Sequence, residues 1–174
     1  EYSSWVPTYF TTGCTMFELP FSESFEDDSL TWQCWTVEDL SPAEAPSNLS
    51  WTPIAGYGVD SSYSAYLYTL GNQGKNDDYM ITPQLNLSGN DRLKFSVSSF
   101  PNTLDVNSMS VLLSTTTANP EDFTTVLSEP TEYPGYFTDV TIDLSAYSGP
   151  VYIAFYVPPT CLLYTSDAAD EHSC

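Results

Sequence analysis

The sequence predicts an all-β fold, on three observations. The chain is rich in residues that favour strands, with 13 Tyr, 9 Phe and 4 Trp among its 174 residues. Short runs of alternating apolar and polar residues are separated by turn residues at intervals of roughly 8 to 12 residues. No stretch shows the periodicity of an amphipathic helix. These features predict a β-sandwich or barrel, and the length fits one domain.

Extended runs can be placed along the chain between the turns. The predicted strands are Leu19–Phe25, Cys34–Val37, Ser64–Tyr68, Tyr79–Pro83, Leu93–Ser98, Met109–Ser114, Phe123–Leu127, Phe137–Leu144 and Val151–Val157. The last run is nearly all apolar, so we expect it at the centre of a sheet with both faces covered.

The charge balance excludes several partners. Lys and Arg total 3 against 23 Asp and Glu, which gives a net charge of -20 and a pI near 4.1. Nucleic acids and anionic membranes are bound largely through basic side chains, so neither is an expected partner. No apolar run reaches the roughly 18 residues that would cross a bilayer, so we expect no membrane insertion.

The sequence offers no catalytic apparatus. A Ser or Cys nucleophile needs a nearby base, usually His, and the single His of the chain is His172. Carboxylate pairs such as Asp139 and Asp143 lie on one face of an extended run, which is typical of the solvent face of a strand. We therefore predict no catalytic residue and no enzymatic activity.

The cysteines do not form a zinc motif. Cys14, Cys34, Cys161 and Cys174 show no C-x-x-C spacing. Cys14 and Cys34 could form a disulfide in an exported protein, or remain free and buried.

Several separated blocks occur in the order found in one known family. They are Leu19–Glu26, Cys34–Val37, Tyr63–Tyr66, Asp78–Leu85, Val111–Thr116 and Val151–Phe155. In this order the chain resembles the cleaved-adhesin domain family over about Leu19 to Val157, and the Asp78 block resembles its D-x-L-I-T-P-x-L strand. The resemblance implies a jelly-roll β-sandwich of two antiparallel sheets. It also implies a bacterial hemagglutinin or adhesin module, of the kind attached to gingipain proteases, that binds and does not cleave.

The resemblance further implies a structural Ca²⁺ near the first strand. The matching acidic position is Glu26, with Asp28, Asp60 and Ser62 as further oxygen donors. Calcium takes six to eight oxygen ligands. The Asp- and Gly-rich run of the gingipain-type pattern is replaced here by Glu38–Pro42, and a solvated acidic turn is the alternative interpretation.

Tyrosines are the candidate ligand contacts, because aromatic rings on the loops or faces of a sandwich stack on sugars. The candidates are Tyr57, Tyr63 and Tyr79, with Tyr66 and Tyr68 beside them in sequence. Core or cross-strand packing is the alternative role for each of them.

We interpret the chain as a non-catalytic adhesion or binding module of a larger multidomain protein, extracellular or on a bacterial cell surface. Host proteins, glycans and neighbouring domains of the same chain are the expected partners. A carbohydrate-binding accessory module of a secreted enzyme and a structural spacer repeat are the alternatives.

The ends of the chain differ in character from its middle. Residues 1–18 resemble the tail of a fibronectin type III-like domain followed by a linker, and 19–160 form the predicted jelly roll. Residues 161–174 resemble a translated sequencing adaptor, which predicts a non-native tail. On this interpretation the sandwich lacks its final strand and leaves an unpaired edge beside Val151–Val157.

Overall fold

The computed structural model describes residues 13–42, 50–69, 75–99 and 108–159. In these ranges the protein is all-β, as predicted, with eleven strands and three short 3-10 helices. The strands are β1 (Phe17–Glu18), β2 (Thr36–Asp39), β3 (Thr52–Ala55), β4 (Tyr63–Tyr66), β5 (Asp78–Ile81), β6 (Leu85–Ser88), β7 (Arg92–Val97), β8 (Met109–Ser114), β9 (Thr125–Thr131), β10 (Thr138–Asp143) and β11 (Ser148–Val157). The 3-10 helices are Trp32–Cys34, Val59–Ser61 and Pro120–Asp122. No helix within these ranges is long and apolar enough to cross a membrane.

Strand β11 is the centre of a seven-stranded sheet, called here the main sheet. One edge of β11 pairs with β8, and β9 lies beyond β8. The other edge pairs first with β6 and then with β5, beyond which lie β1 and β2. The predicted unpaired edge beside Val151–Val157 is therefore wrong, because β11 has hydrogen-bonded neighbours on both edges.

Two antiparallel ribbons, β7 with β10 and β3 with β4, cover the inner face of the main sheet. The ring of Phe95 on β7 meets Phe155 of β11 edge-on, with centroids 5.1 Å apart. Ala65 and Leu67 from the β4 region pack on the same core. The structure differs from two purely antiparallel sheets in two details. The second layer consists of two separate ribbons, and β1 pairs with β6 in parallel.

Strand β11 is covered on both faces, as its apolar sequence predicts. Val151, Ile153 and Phe155 lie in the inner core between the main sheet and the ribbons. Ala154, which lies between Ile153 and Phe155 in the sequence, points to the outer face and belongs to a smaller cluster there together with Phe123. Alternate residues of a strand point to opposite faces, so an almost continuous apolar run fills two cores.

The predicted strand Leu19–Phe25 does not form. No residue of this segment lies in a strand, although Phe25 still packs on the core. The carboxylate of Glu23 accepts hydrogen bonds from the Phe25 N–H at 2.7 Å and from the hydroxyls of Ser29 and Thr31 at 2.6 Å each. These local bonds compete with a ladder, and Phe25 takes a left-handed φ of 61°. The prediction was wrong because it considered alternation alone.

The segment before residue 19 is joined to the sandwich. Phe17 pairs with Leu85, and a disulfide links Cys14 to Cys34. The disulfide alternative for these two cysteines is confirmed. The predicted division of the chain at residues 1–18, 19–160 and 161–174 stays a prediction, and residues 1–12 and 160–174 lie outside the described part of the chain.

Candidate functional site

Three of the candidate tyrosines form one surface on the outer side of the β3–β4 ribbon. We call Tyr57, Tyr66 and Tyr68 the tyrosine face. The ring centroids of Tyr57 and Tyr66 are 5.7 Å apart, and those of Tyr66 and Tyr68 are 6.5 Å apart. Ala65 and Leu67 point to the core, so strand alternation turns Tyr66 and Tyr68 outward.

The exposure of the tyrosine face differs along its length. Tyr57 is 48 % exposed, while Tyr66 and Tyr68 are half-buried. Burial, and then the neighbouring hydroxyls of Tyr68 and Tyr57, raise the pKa of Tyr66. The three side chains therefore offer ring surface to a ligand.

A tight turn before β4 positions Tyr57 beside Tyr66. The N–H groups of Gly56 and Gly58 both donate to the carbonyl oxygen of Ser62, at 3.0 and 2.9 Å. A Cβ atom at Gly58 would lie 2.1 Å from a backbone carbonyl oxygen of β4. Only glycine fits this position without a shift of the turn.

Tyr63 has a different role, because its polar groups are used within the protein. Its N–H donates to Glu26 Oε1 at 3.2 Å. The hydrogen bond between its hydroxyl and Asp27 is the main cause that raises its pKa. Tyr63 thus fastens the acidic turn after Phe25 to the start of β4.

Tyr79 belongs to the packing of the outer face of the main sheet. Its ring stacks on Tyr156 with centroids 4.1 Å apart and an interplanar angle of 22°, and it is only 9 % exposed. Phe123 covers it from another side, at a centroid distance of 6.3 Å. The Tyr156 hydroxyl donates to Asp77 Oδ1 at 3.0 Å. This arrangement favours the packing alternative for Tyr79.

The predicted calcium ligands lie near one another but are not arranged as a closed cluster. Glu26 bonds the N–H of Tyr63, which adjoins Ser62, and Asp60 occupies the same loop with a left-handed φ of 54°. Asp28 is exposed in the turn after Glu26. In the part of the chain that the structure describes, no group of three or more His, Cys, Asp or Glu is placed to hold a metal. The calcium site stays a prediction.

A buried polar pair at the start of β5 was not singled out from the sequence. Asn76 and Asp78 are each 1 % exposed, and Asn76 Nδ2 donates to Asp78 Oδ2 at 2.8 Å. Burial raises the pKa of Asp78 to about 6, with the Asn76 hydrogen bond opposing the shift and the charge of Asp39 adding to it. The only sequence signal was the position of Asp78 at the start of the D-x-L-I-T-P-x-L block.

A groove of about 520 Å³ lies on the outer side of the main sheet, beside the disulfide. Its walls come from five separated parts of the chain. The lining residues are Cys14, Thr15, Met16, Cys34, Thr36, Thr82, Pro83, Gln84, Ala118 and Tyr152. No residue of this groove was predicted from the sequence as part of a site, because no contiguous motif connects the five parts.

The main sheet and the two ribbons that cover its inner face place the chain in the class of jelly-roll β-sandwich modules. The sequence profile described as the Cleaved Adhesin Domain matches residues 19–157. The chain therefore belongs to the cleaved adhesin domain family, as the resemblance predicted. No curated protein matches the chain by sequence.

Solved structures support the fold. The K1 cleaved adhesin domain of Lys-gingipain from Porphyromonas gingivalis W83 is 23 % identical with a TM-score of 0.57, covering 78 % of this chain and 90 % of that one. The K2 domain of Lys-gingipain is 20 % identical with a TM-score of 0.59, covering 81 % of this chain and 90 % of that one. The K3 domain, from the same bacterium, is 22 % identical with a TM-score of 0.50, covering 71 % and 82 %.

Proposed function

We propose that the chain is a non-catalytic adhesion module that acts outside a bacterial cell, on its surface or in its secretions, and binds host proteins or glycans through the tyrosine face. The observation that carries the proposal is the outward alignment of Tyr57, Tyr66 and Tyr68 on one ribbon. Membership of an adhesin family supports the same role.

Tyrosine suits a recognition surface for physical reasons. It supplies a large amphipathic contact area and loses little conformational entropy on binding, since it has two side-chain torsions. The turn at Gly58 restricts the backbone that carries Tyr57, which lowers the ordering cost of a complex.

The net charge of the chain, -20, favours a partner with basic patches. Complementary charge speeds the encounter of two proteins and weakens with added salt. Binding to a basic host protein should therefore fall as ionic strength rises.

The proposal is tested by single substitutions on the tyrosine face. Binding to red cells and to a panel of immobilised host proteins is measured for the wild type, Tyr57→Ala and Tyr66→Ala. Loss of a central aromatic contact should weaken binding by about tenfold or more. Tyr136→Ala is the matched control, since Tyr136 is 71 % exposed and lies before β10. Unchanged binding in both face variants contradicts the proposal.

A carbohydrate-binding accessory module is the second candidate, and the rings of the tyrosine face favour it because sugars stack on aromatic side chains. Binding to a glycan array that disappears in Tyr66→Ala, with no binding to host proteins, would support it. If the wild type binds in neither assay, the result would support a structural spacer.

The predicted calcium site is tested by measuring the melting temperature as Ca²⁺ is added, for the wild type and for Glu26→Gln.

A further inference from the structure

We propose that the groove beside the Cys14–Cys34 disulfide binds an uncharged sugar residue of a glycan, a hexose or an N-acetylhexosamine. This inference rests on the proposed function in one respect, that the module serves recognition. It adds a second contact surface, on the main sheet, that is separate from the tyrosine face.

The described lining of the groove carries no charge. None of the ten described residues that line it is acidic or basic, in a chain with 23 acidic and 3 basic residues. A charged ligand would lose hydration there without finding an opposite charge, which is costly. An anionic sugar would also approach against the negative field of the whole chain. The groove therefore selects a neutral ligand.

Several polar groups of the groove are free to bond a ligand. Among the described residues, nothing hydrogen-bonds the side-chain amide of Gln84, the hydroxyl of Thr36 or the hydroxyl of Tyr152. The amide offers donors and an acceptor, and each hydroxyl offers both. Neighbouring hydroxyls of a sugar require this mixture of donors and acceptors, and a purely apolar ligand would leave it unused.

The groove also offers apolar surface to a sugar ring. Tyr152 is half-buried and lines the groove together with Ala118, while Pro83 is buried and Met16 is 39 % exposed. Small-molecule sites combine apolar and aromatic walls with a few polar groups in volumes of roughly 300 to 1,000 Å³. The volume of about 520 Å³ lies in that range.

The walls are held in place before any ligand arrives. The disulfide ties the segment that carries Cys14 and Met16 to Cys34, the last residue of the 3-10 helix that precedes β2. On the opposite side Thr82 is 4 % exposed and accepts a hydrogen bond from the Ile153 N–H at 3.0 Å. The N–H of Phe17 donates to the Gln84 carbonyl at 2.8 Å. A groove fixed in this way loses little entropy on binding.

The test uses an array of neutral glycans together with sialylated and sulfated forms of the same glycans. The wild type should bind neutral members and bind their anionic forms at least about tenfold more weakly. Gln84→Ala and Tyr152→Ala should each reduce neutral-glycan binding by about tenfold, and Tyr152→Phe by less, because it keeps the ring. Tyr136→Ala should bind like the wild type. Melting temperatures of all variants confirm that they are folded.

Two results overturn the groove and leave the proposed function standing. One is glycan binding that is lost in Tyr66→Ala but unchanged in folded Gln84→Ala and Tyr152→Ala. The other is binding to host proteins by a chain that binds no neutral glycan. Failure of the wild type to bind any host protein, red cell or glycan overturns the proposed function as well.

Discussion

The two groups of tyrosines in this protein have the same chemistry and different surroundings. Tyr79 and Tyr156 lie on central strands of the main sheet, where the segment containing Phe123 covers them. Tyr66 lies on a two-stranded ribbon whose inner side already packs on the core, and Tyr68 follows two residues after the end of that ribbon. Whether another segment covers a strand face therefore decides whether its aromatic residues serve stability or remain available for contact.

The two groups of tyrosines differ in whether they stabilise the fold or can contact a partner. A covered ring in the main sheet loses most of its water-exposed surface on folding, and its removal leaves a cavity. A ring on the outer side of a ribbon keeps part of its surface for a partner. Substitutions of the covered tyrosines should therefore lower stability. Substitutions on the tyrosine face should weaken binding and change stability little.

The largest expected effect is on the stability of the main sheet. Tyr79→Ala should lower the free energy of unfolding by about 4 kcal/mol, because it removes a buried ring between Tyr156 and Phe123. Tyr66→Ala should cost less than about 1 kcal/mol. Denaturant unfolding of both variants measures the difference, and equal losses would break the comparison.

Removal of the disulfide tests how firmly the N-terminal segment is held against the main sheet. Cys14 and Cys34 are 20 positions apart, and a loop of that length predicts a loss of about 3 kcal/mol when the link is cut. Unfolding of the Cys14→Ser, Cys34→Ser double variant measures it. Binding through the tyrosine face should not change, since the ribbon carries neither cysteine, and a parallel loss of that binding would contradict the separation of the two regions.

Asp78 predicts an unusual pH dependence for the main sheet. Its pKa is raised from 3.8 to about 6 in the folded protein, so the unfolded chain ionises first as pH rises. Stability from this group is full below about pH 4 and is lost as pH rises through about 6, with a cost of about 3 kcal/mol at pH 7. Asp78→Asn should therefore be more stable than the wild type at pH 7 and similar to it at pH 4. A variant that is less stable at pH 7 would contradict this assignment.

A substitution in the turn before β4 tests the tyrosine-face side of the comparison. Gly58→Ala places a Cβ atom against a backbone oxygen of β4, and a shift of the surface turn should relieve the contact at a cost of about 1 to 2 kcal/mol. That shift moves Tyr57 away from Tyr66, so binding should fall by about tenfold while the fold persists. Gly56→Ala is not a suitable control because Gly56 has a φ of 81°. Ala55→Gly in β3 changes volume without adding a clash, and it should keep the binding.

Much of the fold could be predicted from alternation, and the exceptions have local causes. Leu93–Ser98 and Val151–Val157 were placed correctly because their patterns are long and regular. β3 was missed because Thr52–Ala55 is short and contains a proline. Leu19–Phe25 was assigned as a strand because its alternation is real, but Glu23 binds the local backbone and hydroxyl groups instead.

The sites were less predictable than the fold. Tyr57 could be identified as a candidate because it lies in a glycine turn before β4. The different roles of Tyr79 and Tyr66 could not be predicted, because they depend on the segment containing Phe123, which covers Tyr79. The groove could not be found from sequence, since Cys14, Gln84 and Tyr152 meet only after the main sheet has formed.

The most direct test of the central claim is hydrogen exchange of the chain with and without a bound host protein. The account predicts that added protection falls on residues 56–68, around the tyrosine face, and that exchange across β5 and β11 is unchanged. Protection confined to the main sheet, with none on residues 56–68, would contradict it.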